Sequence, residues 1–204
     1  MIAIVDYGLG NLKAFANIYK RLNIDVEFVK TPEKLSLAEK IILPGVGSFD
    51  HAMEELNKSG MREKLDELVL IKKVPLIGIC VGMQMLGKRS DEGKLAGLAY
   101  IDAEIIKFDT DLIRQKPKLP HMGWNDVYPT VSNRLFDGLE VNAIFYFLHS
   151  YYFSCEDPKD AIAKSEYGLE FISAINRDNI FGVQFHPEKS HQYGIQLLKN
   201  FANL

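Results

Sequence analysis

The hydrophobic and polar positions in the first half of the chain predict strands that alternate with helices. Short apolar runs alternate with segments in which apolar residues recur every three or four positions. The predicted strands are residues 2–6, Asp25–Val29, Lys40–Leu43 and the run that ends at Cys80. The predicted helices are Leu12–Leu22, Phe49–Asn57, Met61–Ile71 and Val81–Leu86. Strands separated by helices are typical of a parallel, doubly wound sheet.

From about Tyr100 the pattern changes to short strands separated by turns. These segments are rich in β-branched and aromatic residues: Ala103–Phe108, Trp124–Tyr128, Ala143–His149 and Ala161–Ser165. Phe171–Asn176 and Ile180–Phe185 flank a turn at residues 177–179 and predict a hairpin. A helix over Gln192–Phe201 closes the chain. We therefore expect an α/β fold: a single doubly wound, mostly parallel sheet with an antiparallel or mixed β extension packed on it, and residues 1–204 as one domain.

Composition and charge exclude several classes of partner. The chain of 204 residues is 47% hydrophobic and 25% charged, as is ordinary for a globular protein, and its net charge of −3 predicts neither nucleic acid nor a membrane surface as a partner. No apolar run approaches the ~20 residues of a membrane span, and the N-terminus lacks the basic region of a signal peptide. The two cysteines, Cys80 and Cys155, fit a reducing compartment, so we expect a cytoplasmic protein.

The first candidate for chemistry is Cys80, at the end of an apolar run. The sequence Gly78-Ile79-Cys80-Val81-Gly82 places a glycine two positions away on each side. This is the cysteine form of a nucleophile elbow, a tight strand-to-helix turn that presents a reactive side chain at the edge of a sheet. A following helix favours the thiolate, and the amide of Val81 can face a developing oxyanion. The alternative interpretation is a small buried hydrophobic residue, which the flanking glycines disfavour.

The second candidate is the tripeptide His186-Pro187-Glu188. Pro187 disfavours helix at His186, and in an extended segment residues 186 and 188 point to the same side. Glu188 is then expected to hold one imidazole nitrogen while the other faces the cysteine, as in a catalytic triad. The alternative is a surface turn. A metal site is a poorer interpretation, because no other His or Cys cluster has zinc-like spacing, and we expect no metal and no cofactor.

A glycine-rich loop, Pro44-Gly45-Val46-Gly47-Ser48, follows the third predicted strand. Glycines on both sides of Val46 allow a peptide to turn over and present an amide to an anion. The alternative is a plain turn. Ser48 or Asp50 is expected to cap the helix behind the loop. An earlier pair, Gly8-x-Gly10, lacks the third glycine of a dinucleotide fingerprint and predicts only a ligand or partner loop.

The remaining histidines and the second cysteine are expected to be structural. His51 and His191 are predicted at the surface. His121 and His149 fall near strand ends, where they line a site or form structural hydrogen bonds; we favour the structural role. Cys155, followed by Glu156-Asp157, is predicted to lie in a turn as an incidental thiol.

Taken together, these motifs resemble those of the class I (triad) glutamine amidotransferases. The resemblance is carried by the Pro44–Gly47 loop, by Gly78-x-Cys80-x-Gly82-x-Gln84 and by His186-Pro187-Glu188, in that order. Further segments are similar to the glutaminase subunits of imidazole glycerol phosphate synthases over the whole chain: Asp6–Asn11, His121–Asn125, Phe147–Tyr151 and Lys189-Ser190.

The resemblance implies a mechanism and a partner. Cys80 would attack the glutamine amide, His186 would transfer the proton and Glu188 would orient His186. The amide of Val81 and one from Gly45, Val46 or Gly47 would stabilise the oxyanion, and Gln84 and Gly47 would hold glutamine. Ammonia would pass to a (β/α)8-barrel synthase subunit for histidine synthesis, and the glycine loop would turn inward only when that partner is loaded. The residues expected to face the partner are Asn11, Trp124, Asn125, Tyr146 and Lys189.

Three alternatives stay open at this point. A related branch of amidotransferases supplies ammonia for acetamidino sugars of surface polysaccharides, and the runs Lys189–Tyr193 and His149–Cys155 resemble that branch more than the histidine branch. A non-catalytic scaffold protein is a second alternative, although the intact triad residues disfavour it. A cysteine peptidase or hydrolase on the same sheet is a third, which Gln84 and the glycine loop disfavour.

Overall fold

Four parallel strands form one end of the main sheet. The computed structural model describes residues 1–204. The strands are β1 (Ile2–Val5), β2 (Val26–Val29), β3 (Lys40–Leu43) and β4 (Leu76–Ile79), in the order β2-β1-β3-β4. Every residue of β1 and β4 is buried. Because successive side chains of a strand point to opposite faces, such complete burial means that both faces of the sheet are covered.

The helices pack their apolar faces against the two faces of this sheet. Their bounds are α1 (Leu12–Arg21), α2 (Pro32–Leu35), α3 (Phe49–Lys58), α4 (Arg62–Asp66, continued by a π turn over Glu67–Ile71), α5 (Val81–Gln84) and α6 (His191–Ala202). In α1 the buried residues Phe15, Ile18 and Tyr19 fall at helical spacing. The Tyr19 hydroxyl donates to the Leu198 carbonyl at 3.0 Å and so ties α1 to α6.

The second half of the chain is built of strands. They are β5 (Arg89–Ser90), β6 (Ala103–Lys107), β7 (His121–Asp126), β8 (Tyr128–Pro129), β9 (Ile144–His149), β10 (Tyr151–Cys155), β11 (Ala161–Tyr167), β12 (Leu169–Arg177) and β13 (Ile180–Val183). Beyond β4 the main sheet continues in the order β13-β12-β10-β6-β5, with β11 and β8 paired beside β12. β13 is parallel to β4 and antiparallel to β12, so it joins the two halves.

The α/β class, the parallel sheet and the antiparallel extension are confirmed, with two corrections. The extension does not pack on the parallel sheet, because most of it continues the same sheet through β13; only β7 and β9 pair as a separate ribbon. Cys155 does not lie in a turn: it ends β10, a strand that the sequence pattern did not predict, and the turn begins one residue later. The predicted hairpin around residues 177–179 is present as β12–β13.

The register of three neighbouring strands sets the position of the site. Leu43 of β3 pairs with Gly78 of β4, and Ile79 of β4 pairs with Val183 of β13. The three parallel strands therefore end at the same edge, and the segments after them start side by side. These segments are the glycine loop, the turn at Cys80 and the run 184–188. No helix of this structure is both long enough and apolar enough to cross a membrane.

Candidate active site

Cys80 occupies a strained turn between β4 and α5. Its φ of 54° and ψ of −113° lie outside the regions that non-glycine residues normally adopt, and such strain costs on the order of 1–3 kcal/mol. The Cys80 amide donates to the Val183 carbonyl at 2.8 Å, which holds the turn against β13. The predicted helix after it starts at Val81 but is only four residues long, from Val81 to Gln84.

The glycines on either side of Cys80 are required by close backbone contact. A Cβ on Gly78 would lie 2.6 Å from the carbonyl oxygen of Gly82. A Cβ on Gly82 would overlap the carbonyl oxygen of Leu43, at the end of β3. The strand, the turn and the neighbouring strand therefore approach one another too closely for any side chain, as the spacing predicted.

His186 and Glu188 form a buried hydrogen-bonded pair. The His186 Nδ1 atom lies 2.8 Å from Glu188 Oε1, and the two side chains are 4% and 2% exposed. The contact was predicted, but the backbone conformation predicted for it was wrong, because Glu188 does not continue an extended strand. It lies in a 3-10 turn over Pro187–Lys189, and the turn, not strand alternation, brings the carboxylate to the ring. The His186 amide donates to the Tyr146 carbonyl at 2.8 Å, which attaches β9 to this edge.

The electrostatics of His186 favour its protonated form, the imidazolium. Burial alone lowers the pKa of His186, but its hydrogen bonds to Cys80 and Glu188, and the charges of both, raise the pKa to about 10. A proton therefore rests on the imidazole at neutral pH when Cys80 is a thiolate. Such a pair supplies a nucleophile together with a proton for a leaving group.

Cys80 and His186 open onto a cavity of about 300 Å³ at the edge of the sheet. Its only acidic residue is Glu92 and its only lysine is Lys189. The full lining is Val46, Gly47, Cys80, Val81, Gln84, Glu92, Pro120, Leu148, His149, Ser150, Tyr151, His186 and Lys189. A larger cavity of about 580 Å³ lies over β10–β12 and contains none of the candidate triad residues. No group of three or more His, Cys, Asp or Glu side chains is arranged to hold a metal ion.

The glycine loop is anchored at its two ends and exposed in its middle. At one end the Tyr7 hydroxyl donates to the Pro44 carbonyl at 2.6 Å; burial, with the charge of Cys80, raises the pKa of Tyr7, so the donor keeps its proton. At the other end Glu92 Oε2 accepts from the Phe49 amide at 2.9 Å. Between them Val46 is 38% exposed and Gly47 has a φ of 85°.

The predicted helix caps were wrong. Ser48 takes the N-cap position of α3 without a side-chain hydrogen bond. The Asp50 carboxylate instead accepts from the amides of Lys94 and Leu95, at 2.9–3.0 Å. Glu92, 43 positions after Phe49 in the sequence, supplies the acceptor for the helix start, and no local pattern marks it.

Gln84 lines the cavity, but its amide hydrogens are already used. Its Nε2 donates to Gln184 Oε1 at 3.0 Å and to the Tyr151 carbonyl at 3.3 Å, so only its oxygen remains for a ligand. Gln184 is fully buried, and its own Nε2 lies 3.8 Å from the sulfur of Cys80. Gln184 was not predicted as a site residue, although its position two residues before His186 in an extended segment places it on the same side.

His121 and His149 form the structural hydrogen bonds that were expected. Nδ1 of His121 lies 2.9 Å from Nε2 of His149, and Nδ1 of His149 lies 2.7 Å from the Tyr151 carbonyl. Burial lowers the pKa of His121 to about 4 and, with the nearby His121, that of His149 to about 3, so both rings are neutral at pH 7. His149 additionally lines the cavity. Burial raises the pKa of Cys155 to about 12, which leaves an unreactive thiol.

The β7–β9 ribbon presents an exposed apolar face near the cavity mouth. Trp124 pairs with Tyr146 and Met122 with Leu148, so these four side chains share one face, here called the ribbon face. Met122, Trp124 and Leu148 are 61%, 46% and 38% exposed. Lys189 lies over the Tyr146 ring at 5.6 Å, and the exposed His191 stacks on Trp124. Asn125 points to the opposite face, where its amide contacts His121 and the Glu166 carbonyl, and Asn11 is exposed at the start of α1.

Comparison with known proteins identifies the class to which this site belongs. The profile of the family described as "Glutamine amidotransferase class-I" matches residues 3–203. The chain therefore belongs to the class I glutamine amidotransferases, and it is an enzyme of that class.

Several curated relatives define the branch within the class. The chain is 57% identical to the imidazole glycerol phosphate synthase subunit HisH of Bdellovibrio bacteriovorus over 100% of both chains. It is 52% identical to HisH of Leptospira interrogans, again over 100% of both chains, and 43% identical to HisH 1 of Campylobacter jejuni over the same share.

Solved structures support the fold. One described as a glutamine amidotransferase superposes with a TM-score of 0.76 at 17% identity, covering 99% of this chain and 97% of the other. A glutamine amidotransferase of Thermotoga maritima superposes with a TM-score of 0.65 at 17% identity, covering 99% of this chain and 82% of the other.

Proposed function

We propose that this chain, residues 1–204 acting as one domain, is the cytoplasmic glutaminase subunit of an imidazole glycerol phosphate synthase. It hydrolyses glutamine to glutamate and ammonia and passes the ammonia to a (β/α)8-barrel synthase subunit that uses it in histidine synthesis. The observation that carries the proposal is the buried Cys80–His186–Glu188 arrangement at the wall of a small cavity, in a chain similar to HisH subunits over its full length.

The first half of the reaction forms a thioester. The Cys80 thiolate attacks the side-chain carbonyl carbon of glutamine and forms a C–S bond. The protonated His186 gives its proton to the nitrogen, the C–N bond breaks, and ammonia leaves. Glu188 accepts a hydrogen bond from Nδ1, which keeps the ring oriented with Nε2 toward the sulfur.

The second half releases glutamate. His186, now neutral, takes a proton from water as that water attacks the thioester carbon. The C–S bond breaks, the thiolate and the imidazolium are restored, and no cofactor or metal is required. In both halves the carbonyl oxygen becomes negatively charged. The amide of Val81 and an amide of the Gly45–Gly47 loop supply its hydrogen bonds, and one such donor changes rates by roughly 10²–10³.

The cavity has the polarity that an amino acid requires. Glu92 is the only carboxylate at its wall, so it supplies the negative charge that matches the α-ammonium of glutamine. Gln84 offers its free oxygen and Gly47 its backbone to the same substrate. Glu92 also binds the Phe49 amide at the end of the glycine loop, so the substrate and this loop share one carboxylate.

The ribbon face is the proposed docking surface for the synthase partner. It combines an exposed tryptophan and further apolar side chains with Lys189 at the mouth of the cavity. Aromatic anchors of this kind dominate the binding energy of interfaces. A partner seated there would cover the cavity, so that ammonia passes directly to the second site and not into solvent.

The first experiment measures glutamine hydrolysis by the purified chain, alone and with the barrel synthase subunit of its host plus the ribonucleotide ligand. We expect strong stimulation by the loaded partner, complete loss with Cys80→Ala and normal activity with Cys155→Ala. Trp124→Ala is expected to weaken the complex at least tenfold, whereas Ile71→Ala, an exposed residue on a distant helix, should not.

The other outcomes identify the alternatives. Thiol-dependent hydrolysis that ignores this synthase would favour an amidotransferase for acetamidino sugars. Absence of thiol-dependent hydrolysis under every condition would leave a scaffold protein and would contradict the proposal.

A further inference from the structure

A buried amide at Gln184 lies directly against the reactive sulfur. Gln184 follows β13, and its backbone amide donates to the Ser173 carbonyl at 2.9 Å. The side chain is completely buried, with Nε2 3.8 Å from Cys80 Sγ. A primary amide placed in a protein interior needs partners for its two hydrogens and its oxygen, so the orientation of this group is decided by its neighbours.

Those neighbours fix which end of the Gln184 amide faces the sulfur. The Tyr151 carbonyl can only accept a hydrogen bond, so the end of Gln84 that lies 3.3 Å from it is the NH₂ group. The same NH₂ group lies 3.0 Å from Gln184, which must therefore present its oxygen to Gln84. The NH₂ group of Gln184 then has only one direction left, toward Cys80. The Tyr151 carbonyl therefore fixes the orientation of the Gln84 amide, and the Gln84 amide in turn fixes that of the Gln184 amide, whose NH₂ group faces Cys80.

The other neighbour of the sulfur has the opposite polarity. The Leu148 carbonyl oxygen lies 3.9 Å from Cys80 Sγ, where it accepts from a thiol S–H but repels a thiolate. The Gln184 N–H group stabilises the negative sulfur and gains little from the neutral thiol. The two neighbours of the sulfur therefore differ: the Leu148 carbonyl suits a thiol and the Gln184 amide suits a thiolate.

We propose that Gln184 is a further catalytic residue, which donates a hydrogen bond to Cys80 Sγ and so increases the thiolate fraction of the free enzyme, with Gln84 as its positioning residue. The inference rests on the proposed function only in taking Cys80 as the nucleophile. Gln84 then has two functions: one face contacts the substrate and the other holds the Gln184 amide.

The test measures the alkylation of Cys80 by iodoacetamide as a function of pH, with peptide mapping to separate Cys80 from Cys155. This readout needs neither glutamine nor the partner. Gln184→Leu removes the donor, and alkylation at pH 7 is expected to fall roughly three- to tenfold, with the midpoint of the pH profile moved to higher pH. Gln184→Glu keeps the shape and the acceptor for Gln84 but places a carboxylate against the sulfur, so its effect should be larger.

Two controls separate chemistry from folding. Asn200→Asp changes another buried amide, one that binds the Leu135 and Asp137 carbonyls far from the sulfur, and it should leave the Cys80 midpoint unchanged. Cys155, a half-buried thiol at the end of β10, reports any general loosening in the same digest, because its own alkylation would then become faster. Gln84→Leu, which releases the Gln184 amide without removing it, is expected to shift the Cys80 midpoint in the same direction by a smaller amount.

Equal midpoints in the wild type and in folded Gln184→Glu would overturn the proposal. Slower glutamine hydrolysis with an unchanged midpoint would also overturn it, since Gln184 would then act on the substrate. Failure of the proposed function has a different signature, namely that no glutamine hydrolysis depends on Cys80 under any condition.

Discussion

Two glycine-rich segments lie at the ends of the neighbouring parallel strands β3 and β4, and they differ in how closely they are packed. The segment Gly78–Gly82, which runs from the end of β4 into α5, is buried, and its glycines allow close backbone contact within the turn and with the end of β3. The loop Pro44–Ser48 after β3 is exposed from Val46 to Ser48, and a Cβ on Gly47 would meet nothing within 4 Å. Gly45, at the start of the loop, shares the tight packing of the first segment, since a Cβ there would overlap the Gly82 nitrogen. Only Val46–Ser48 is open to solvent between the two anchors. Glycine therefore marks close backbone contact at Gly45, Gly78 and Gly82, and a positive φ in open space at Gly47.

The largest expected effect comes from filling the close contact. Gly82→Ala places a Cβ against the carbonyl group of Leu43 and the backbone of Pro44. These are backbone atoms at the end of β3, so they cannot move aside as a flexible side chain could. We expect a loss of about 3 kcal/mol or more in the free energy of unfolding, and glutamine hydrolysis close to that of Cys80→Ala. Thermal unfolding and the glutaminase assay measure the two effects. A stable, active Gly82→Ala protein would show that the turn is not tightly packed.

The next largest effect is expected from the protonation of His186, which lies beside the Cys80 turn. The pKa of His186 is raised to about 10, so its charged form persists below that pH and is lost above it. We expect kcat/KM to fall as pH rises through about 10, because the neutral ring cannot protonate the leaving ammonia.

Glu188→Gln removes one cause of the raised pKa of His186. It should lower kcat by roughly 10²–10⁴ and move the alkaline limit to lower pH. An unchanged limit in this variant would mean that another group sets it. Gln196, a residue of α6 outside the site, provides a matched control as Gln196→Glu.

A smaller effect is expected at the anchor of the glycine loop. Tyr7→Phe keeps the ring but leaves the buried Pro44 carbonyl without its donor, at a cost of about 1–2 kcal/mol. Hydrogen exchange should become faster at residues 46–48 and stay unchanged at residues 79–82. Equal acceleration in both segments would mean that they move as one unit and would remove the contrast between them.

The smallest effect is expected within the loop itself. Gly47→Ala meets no neighbouring atom, so only the positive φ of 85° opposes it, at about 1 kcal/mol. The free energy of unfolding measures this cost directly. A loss as large as that of Gly82→Ala would show that the loop is packed after all.

The sequence pattern predicted the parts of the site that depend on local backbone. Apolar runs between helical segments predicted the parallel sheet, and the spacing of Gly78, Cys80 and Gly82 predicted the strained turn. His186 and Glu188 were predicted as a pair, although the 3-10 turn that joins them was not. Proline restricts the residue before it, which is a local effect, but the direction of the chain after Pro187 depends on how Ser190 binds the backbone of β9 and of His186.

The amino-acid sequence alone was enough to predict the alternation of strands and helices in the first half of the chain, the glycine-flanked turn at Cys80, the pairing of His186 with Glu188 and the family of the chain. Tertiary packing decided that Glu92 holds the start of α3, that Tyr7 anchors the glycine loop, that Asn125 turns away from the ribbon face and that Gln184 faces the sulfur. The contacts of Glu92, Tyr7 and Gln184 join residues at least 37 positions apart. In each of them a polar group takes the hydrogen-bond partner that the packing of the chain places next to it. The helical or strand periodicity of a sequence indicates which side of an element is buried. It does not indicate which distant donor binds which acceptor, because these groups become neighbours only when the carboxyl ends of the strands meet at one edge of the folded sheet.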